Sequence, residues 1–202
     1  EVRQVADELA ALPEVETQNA RVALIFDYIS CWAWEAQPQG ADFDMFRLAF
    51  ETYRAARKLG LSLDIVAPDA DLSGYSLVLA PGLLETPKSL ETFHGTALIG
   101  PRTGSKTSEL SIPTPMGPNI TGLDCTSVRV QSLPPTCNIP LENGACFKHW
   151  LEDLEGNAEI ALRTKAGAPA IMRAGTLHYM AGWPEADTYV DILETLAHQA
   201  GL

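Results

Sequence analysis

The residues that could do chemistry lie just after an apolar run near the N-terminus. Residues 22–26 read Val-Ala-Leu-Ile-Phe, and Asp27, Trp32, Trp34 and Glu35 follow closely. Two carboxyl groups beside aromatic rings can hydrolyse a glycosidic bond when they lie about 5–9 Å apart and one has a raised pKa. No second rigid element supplies a matching carboxylate. We therefore expect Asp27 to make a strand-end hydrogen bond and Glu35 to be a solvated loop charge.

A nucleophile in this region would have to be Cys31. Nucleophilic catalysis in a parallel α/β fold usually places Cys or Ser on the sharp turn after a central strand, with a histidine within reach. The turn after the third predicted strand reads Ala-Pro-Gly-Leu-Leu from position 80, without a nucleophile, and the four histidines are scattered. A hydrolase that uses Cys31 is therefore kept as an alternative only.

Phosphate and metal chemistry find weaker support. The stretch Gly-Pro-Arg-Thr-Gly-Ser-Lys at 100–106 lacks the spacing and the ending of a phosphate-binding loop. The four cysteines include no pair separated by two residues, so the sequence predicts no metal site and no cofactor. It predicts buried or unreactive thiols in a reducing compartment, and a cytoplasmic location.

The net charge of the chain limits the classes of partner that it can bind. Fourteen basic and 26 acidic residues give a net charge of −12. This excess of negative charge disfavours nucleic acid and anionic membranes as partners. No apolar run approaches the ~18 residues of a transmembrane helix, so we also expect no membrane-spanning segment.

The two tryptophans of the first loop favour recognition over catalysis. Trp32 and Trp34 can stack on a sugar or pack into another chain, because aromatic rings serve both purposes. Arg102 lies in the loop after the fourth predicted strand, at the same edge of the predicted sheet. A carbohydrate-binding module that uses Trp32 and Trp34 is a second alternative.

Short apolar runs predict the elements that position these loops. Four strands are predicted at residues 22–27, 63–67, 77–80 and 97–99. A helix is predicted to start near Ala41 with Asp42 as its cap, and aromatic residues recur along it at helical spacing: Phe43, Phe46, Phe50 and Tyr53. Strands and helices joined by short connections indicate a parallel sheet covered by helices.

The remaining segments are less regular. Residues 101–144 are rich in proline and glycine and predict an irregular excursion, interrupted by one strand at 127–131. A short helix is predicted around Trp150 and Leu154. The sequence also predicts three further helices, at 2–12, 87–93 (degraded) and 185–199, and a linker at 13–20. It predicts a strand at 159–164 and a C-terminal strand pair at 169–173 and 177–181.

The motifs resemble a known family in their order along the chain. Residues 21–28 with Trp-Ala-Trp at 32–34 resemble the opening of the middle domain in family 42 glycoside hydrolases, the bacterial β-galactosidases. Residues 69–81 and 100–104 are similar to that domain's second-to-third strand junction and to its loop after strand four. Pro-Ala at 169–170, Leu-His-Tyr at 177–179 and the final helix resemble its closing segment.

The resemblance implies a fold and a role. The fold is α/β: a flavodoxin-like, glutamine amidotransferase-like parallel sheet with helices on both faces. The family's catalytic glutamates lie on a barrel that this chain is too short to contain. Residues 1–17 would be the helix and linker from that upstream barrel, and 18–202 the trimerisation domain.

The function predicted is therefore non-catalytic trimerisation within an enzyme that hydrolyses terminal β-D-galactosides. The implied partners are other copies of the chain in a homotrimer, the catalytic barrel of the same enzyme and, through it, the galactoside. No catalytic residue is predicted. The predicted edge facing a neighbouring subunit or its barrel carries five residues: Asp27, Trp32, Trp34, Glu35 and Arg102.

Overall fold

A seven-stranded sheet forms the centre of the molecule. The computed structural model describes residues 2–12, 19–40 and 42–202. The strands run in the order β2-β1-β3-β4-β10-β9-β8, parallel from β2 to β10 and antiparallel from β10 to β8. Their bounds are β1 Val22–Ile25, β2 Leu63–Val66, β3 Leu77–Ala80, β4 Thr96–Ile99, β8 Glu159–Arg163, β9 Pro169–Ala174 and β10 Leu177–Met180. The four predicted strands and the C-terminal strand pair are confirmed.

The burial of the strands follows from their composition. Every residue of β1, β3 and β4 is buried, as expected for strands that are apolar on both faces. β2 is an edge strand, and its end residues Leu63 and Val66 are half-buried while Asp64 and Ile65 between them are exposed. The carboxyl ends of the parallel strands meet at one edge of the sheet, where ligands bind in folds of this class.

Two long helices pack on one another beside the sheet: α3 (Met45–Lys58) and α4 (Ala186–Gln199). Asp44 caps α3, since its side chain accepts a hydrogen bond from the Arg47 N–H at 2.9 Å. The predicted start near position 41 is therefore wrong; Ala41 itself lies outside the described residues. Between the helices, the Thr52 hydroxyl and the Tyr189 hydroxyl lie 2.7 Å apart.

The aromatic residues predicted along this helix do not share one face. Phe46 and Phe50 are 62% and 50% exposed, whereas Phe43 is buried just ahead of α3 and Tyr53 is half-buried. The buried face consists mostly of small residues, which let the helix approach its neighbours closely: Met45, Leu48, Ala49, Thr52, Ala55 and Ala56. Helical spacing of aromatic residues therefore did not identify the buried face.

The segment after β1 is a helix, α2 (Tyr28–Ala36), where the sequence predicted a loop. Asp27 explains the difference, because its carboxylate accepts hydrogen bonds from the Ile29 and Ser30 N–H groups at 3.1 and 2.9 Å. An acidic side chain that binds these otherwise unpaired amides starts a helix.

The stretch 101–144 is largely irregular but contains two strands, β5 Thr126–Ser132 and β6 Ile139–Pro140. Both belong to a second sheet that is completed by later residues, β7 Cys146–Glu155 and β11 Gly182–Pro184. Its path is β11-β7-β5, with β6 paired to β7. The helix predicted around Trp150 is therefore wrong. Pairing with β5 on one side and β11 on the other outweighs the helical spacing of its apolar residues. A short 3-10 helix, Lys88–Glu91, lies where the degraded helix was predicted.

The N-terminal segment is helical over α1 (Val2–Ala10), and none of its residues is buried. Most of the predicted linker, residues 13–18, lies outside the described residues. None of the helices that the structure describes is long and apolar enough to cross a membrane.

Candidate functional site

The structure brings two of the five predicted site residues together and separates the others from them. Trp34 and Arg102 are 3% and 6% exposed and touch at the carboxyl-end edge of the sheet. Trp32 is 63% exposed, and Glu35 is exposed as well. Trp32 and Trp34 thus do not form one surface, because residues that are two positions apart along α2 lie on different faces of the helix.

Arg102 lies between two indole rings. Its guanidinium carbon is 5.0 Å from the centre of the Trp34 ring and 4.9 Å from that of Trp150. One guanidinium nitrogen donates to the Gln39 side-chain oxygen at 3.1 Å. The two distances from the guanidinium carbon to the indole ring centres are within the range of cation–π attraction, which is strongest when the charge is desolvated. Burial lowers the pKa of Arg102, and the negative charge of Glu152 opposes this shift.

Glu152 supplies the negative charge of this cluster. Its Oε1 accepts the backbone N–H of Arg102 at 2.7 Å and the indole N–H of Trp150 at 2.9 Å, while its Oε2 accepts the Tyr179 hydroxyl at 2.7 Å. Glu152 is only 2% exposed. Burial raises the pKa of Glu152, and the three donors and the nearby guanidinium act in the opposite direction. Burial and the Glu152 charge hold the pKa of Tyr179 well above its usual value, so its hydroxyl stays a donor.

The backbone of Arg102 needs this support. Its φ of +69° lies in the left-handed region, which disfavours residues other than glycine. The hydrogen bond from its N–H to Glu152 holds that conformation. We call Arg102, Glu152, Trp34, Trp150 and Tyr179 the buried arginine cluster. The sequence pointed to two of its five members, and nothing in the mixed stretch at 147–154 distinguished Glu152 from the neighbouring Asp153.

Aromatic rings pack around the cluster. The Trp34 indole N–H donates to the Gly82 carbonyl, just past β3, at 2.7 Å. Phe43 packs edge-on against Trp34, Trp150 and Trp183, with ring centres 5.7, 5.1 and 5.6 Å apart. Side chains therefore fill the part of this edge nearest to β3, β4 and β10.

The groups considered for catalysis have other uses. Both Asp27 oxygens cap α2, and one also accepts the Ser30 hydroxyl at 2.6 Å. Cys31 is buried, and its burial together with the charges of Glu35 and Asp44 raises the pKa of the thiol. Reactive cysteines show the opposite shift. Within the described ranges, no group of three or more His, Cys, Asp or Glu side chains is arranged to hold a metal ion.

A cavity of about 710 Å³ remains open beside the filled part of the edge. Loops that follow β1, β2, β3 and β4 line it, and its charged side chains carry both signs: Asp27, Asp69, Glu85, Lys88, Glu91 and Lys106. Asp27 is committed to the helix cap, so the remaining carboxylates of the cavity are Asp69, Glu85 and Glu91.

Exposed apolar side chains collect on the outside of α2 and α3. Tyr28, Ile29, Trp32, Phe46 and Phe50 are between 50% and 65% exposed, and we call these five residues the aromatic surface. The Phe26 ring joins the two helices, with ring centres 5.1 Å from Tyr28 and 6.2 Å from Phe46. The Trp32 ring lies 6.1 Å from Tyr28. Contiguous exposed aromatic side chains of this kind mark interaction sites more often than ordinary surface.

Comparison with known proteins agrees with a recognition role. The family profile described as the β-galactosidase trimerisation domain matches residues 20–202. A β-galactosidase from Thermus thermophilus is 39% identical over 212 residues, and one from Halorubrum lacusprofundi is 30% identical over 230. These alignments cover 100% and 98% of this chain, and 33% of each relative.

Solved structures give the same result. The β-galactosidase from the psychrophilic Marinomonas ef1 superposes with a TM-score of 0.87 at 34% identity, covering 98% of this chain and 31% of that one. The chain therefore belongs to the β-galactosidase trimerisation domain family. It spans about a third of the length of the relatives that it matches.

Proposed function

We propose that this chain is the non-catalytic assembly domain of an enzyme that hydrolyses terminal β-D-galactosides, and that it holds three subunits together. The observation that carries the proposal is the buried arginine cluster. It occupies the edge of the sheet where an α/β enzyme would bind its ligand. A domain in which side chains fill the part of that edge nearest to β3, β4 and β10, and whose exposed apolar side chains lie on α2 and α3, is suited to binding other subunits.

The finer features of the fold support this assignment. The order β2-β1-β3-β4-β10 of five parallel strands is that of flavodoxin-like sheets, and α3 and α4 pack together beside it. We propose that the domain is flavodoxin-like and akin to glutamine amidotransferase domains, but without the nucleophile of those enzymes. In the same proposal, residues 18–202 form the assembly domain and 1–17 come from an upstream catalytic barrel of a cytoplasmic enzyme.

The predicted edge residues divide into two roles in this proposal. Trp32 and Glu35 are exposed on α2 and are available to a neighbouring subunit or its barrel. Asp27, Trp34 and Arg102 act from within, because they fix α2 and the loop after β4 in place. The galactoside would meet the domain only through the parent enzyme.

Two measurements on the full-length parent enzyme test the proposal. Sedimentation equilibrium should give the mass of three chains, whereas a single-chain mass would refute the assembly role. The Cys31→Ala variant should keep the kcat/KM of the parent enzyme for a β-galactoside.

Thiol labelling separates the proposal from the Cys31 alternative. At neutral pH, iodoacetamide should modify Cys31 more slowly than the half-buried Cys137. Rapid and selective labelling of Cys31, or loss of activity in Cys31→Ala, would favour the hydrolase. A change of tryptophan fluorescence with galactose that Trp32→Phe abolishes would favour the carbohydrate-binding module.

A further inference from the structure

We infer that the aromatic surface is one side of a head-to-tail contact with a second copy of the same protein, whose contacting face is acidic. The inference rests on the proposed assembly function and adds the surface, its partner and the complementarity between them. The aromatic surface consists of Tyr28, Ile29, Trp32, Phe46 and Phe50.

The first argument is the distribution of exposed aromatic rings. Among the residues that the structure describes, four aromatic side chains are at least half exposed, and all four lie on α2 or α3: Tyr28, Trp32, Phe46 and Phe50. Neither helix needs them for its own packing, since each buries another face. Interfaces draw most of their binding energy from a few such rings clustered near their centre.

The second argument is charge. Helix α3 carries four basic residues and one acidic residue, while the rest of the chain carries ten basic and 25 acidic residues. The guanidinium of Arg54 lies 5.8 Å from the centre of the Phe50 ring, within the aromatic surface. Two of the α3 cations are already paired, Arg47 with Glu51 and Lys58 with Asp187. The exposed Arg54 beside Phe50 is therefore the cation that this surface offers, and it favours an acidic group on the partner face.

Symmetry explains how one chain can supply both faces. A closed ring of three identical subunits uses head-to-tail contacts, in which one surface meets a different surface of the next copy. The second face is drawn from the chain outside α3, which carries 25 acidic and ten basic residues. A second copy therefore satisfies both the apolar and the charge requirement, without another kind of protein.

The test uses the full-length parent enzyme and two variants of the aromatic surface. The double variant Trp32→Ala/Phe50→Ala should weaken assembly about 30-fold or more, because it removes two central rings. Arg54→Glu should weaken assembly as well, and this loss should shrink as salt is raised. Ile112→Ala is the control, since Ile112 is 62% exposed and lies outside the aromatic surface. Its assembly should match that of the wild type.

Sedimentation velocity across a concentration series measures assembly, and thermal unfolding of the same samples measures stability. A wild-type enzyme that is a single chain throughout would refute the proposed function itself. A wild-type trimer with unchanged assembly in the aromatic variants would overturn the inference alone. An unchanged trimer that unfolds at a lower temperature would assign the surface to the barrel of its own subunit, and equal weakening by Ile112→Ala would remove the special role of these rings.

Discussion

Removing the Glu152 carboxylate should destabilise the chain more than removing any exposed charge. Glu152 is almost fully buried and accepts three hydrogen bonds, from the Arg102 N–H, the Trp150 indole and the Tyr179 hydroxyl. In Glu152→Ala these three donors lose their acceptor and the Arg102 guanidinium loses its counter-charge. Both losses fall on groups that have little access to water.

The magnitude follows from these contacts. An unsatisfied buried donor costs about 1–3 kcal/mol, and three donors lose their acceptor at once. The three penalties overlap because the donors share one carboxylate, so we expect Glu152→Ala to lower the free energy of unfolding by about 3–5 kcal/mol. Glu152→Gln keeps an acceptor oxygen, and the Tyr179 hydroxyl can turn to accept from the amide. The glutamine variant should lose only about 1–2 kcal/mol.

Urea unfolding of the chain, followed by tryptophan fluorescence, measures both variants because Trp34 and Trp150 flank Arg102. Glu155→Ala is the matched control: Glu155 is exposed at the end of the same strand, and its loss should change stability by less than about 0.5 kcal/mol. A loss below about 1 kcal/mol in Glu152→Ala would refute the reasoning, since the cluster would then not be a stabilising unit.

Three further predictions concern other parts of the fold. Trp34→Phe should cost about 1–2 kcal/mol of unfolding free energy, because it removes the donor to the Gly82 carbonyl, whereas Trp32→Phe should cost less than about 0.5 in the same urea assay. Gly104→Ala and Gly122→Ala both place alanine at a positive φ, at about 1–2 kcal/mol each. Gly104→Ala should cost clearly more, because its Cβ would lie 2.9 Å from the Pro118 carbonyl oxygen while that of Gly122 meets no atom within 4 Å; equal losses would contradict this. Burial and the Arg47 charge lower the pKa of His149 in the folded chain. As the pH drops, His149 is therefore protonated in the unfolded chain before it is protonated in the folded one, and the free energy of unfolding should fall below about pH 6.5. His149→Asn should flatten this part of the pH profile of urea midpoints, and an unchanged profile would contradict the assignment to His149.

Local composition was sufficient to predict the centre of the fold. β1, β3 and β4 are buried on both faces, so their apolar runs had no competing interpretation. The face of α3 could not be read in the same way. Phe46 and Phe50 share its aromatic spacing, but the neighbours of the helix favour small side chains. Which stripe of a helix is buried depends on the space available in the folded molecule.

The buried arginine cluster shows why the site was harder to predict. Trp34 and Arg102 were predicted to face a neighbouring subunit, but both are buried within the domain. Composition alone does not reveal that each of these side chains buries the other. The partner of Arg102 lies 50 positions away, on a strand that the local pattern described as a helix. Only the pairing of β7 with β5 and β11 turns Glu152 toward Arg102.

The pairing of β4 with β10 constrains the order in which the chain can fold. Ala97 pairs with Leu177, so the second neighbour of β4 is synthesised 80 residues after β4 itself. By contrast, β1, β2 and β3 have all been synthesised and can pair before β4 is complete. During synthesis, β4 is therefore a temporary edge strand whose residues are later all buried. Such an edge is a template for pairing with other chains. The long excursion thus carries a kinetic hazard that ends only when β10 is made.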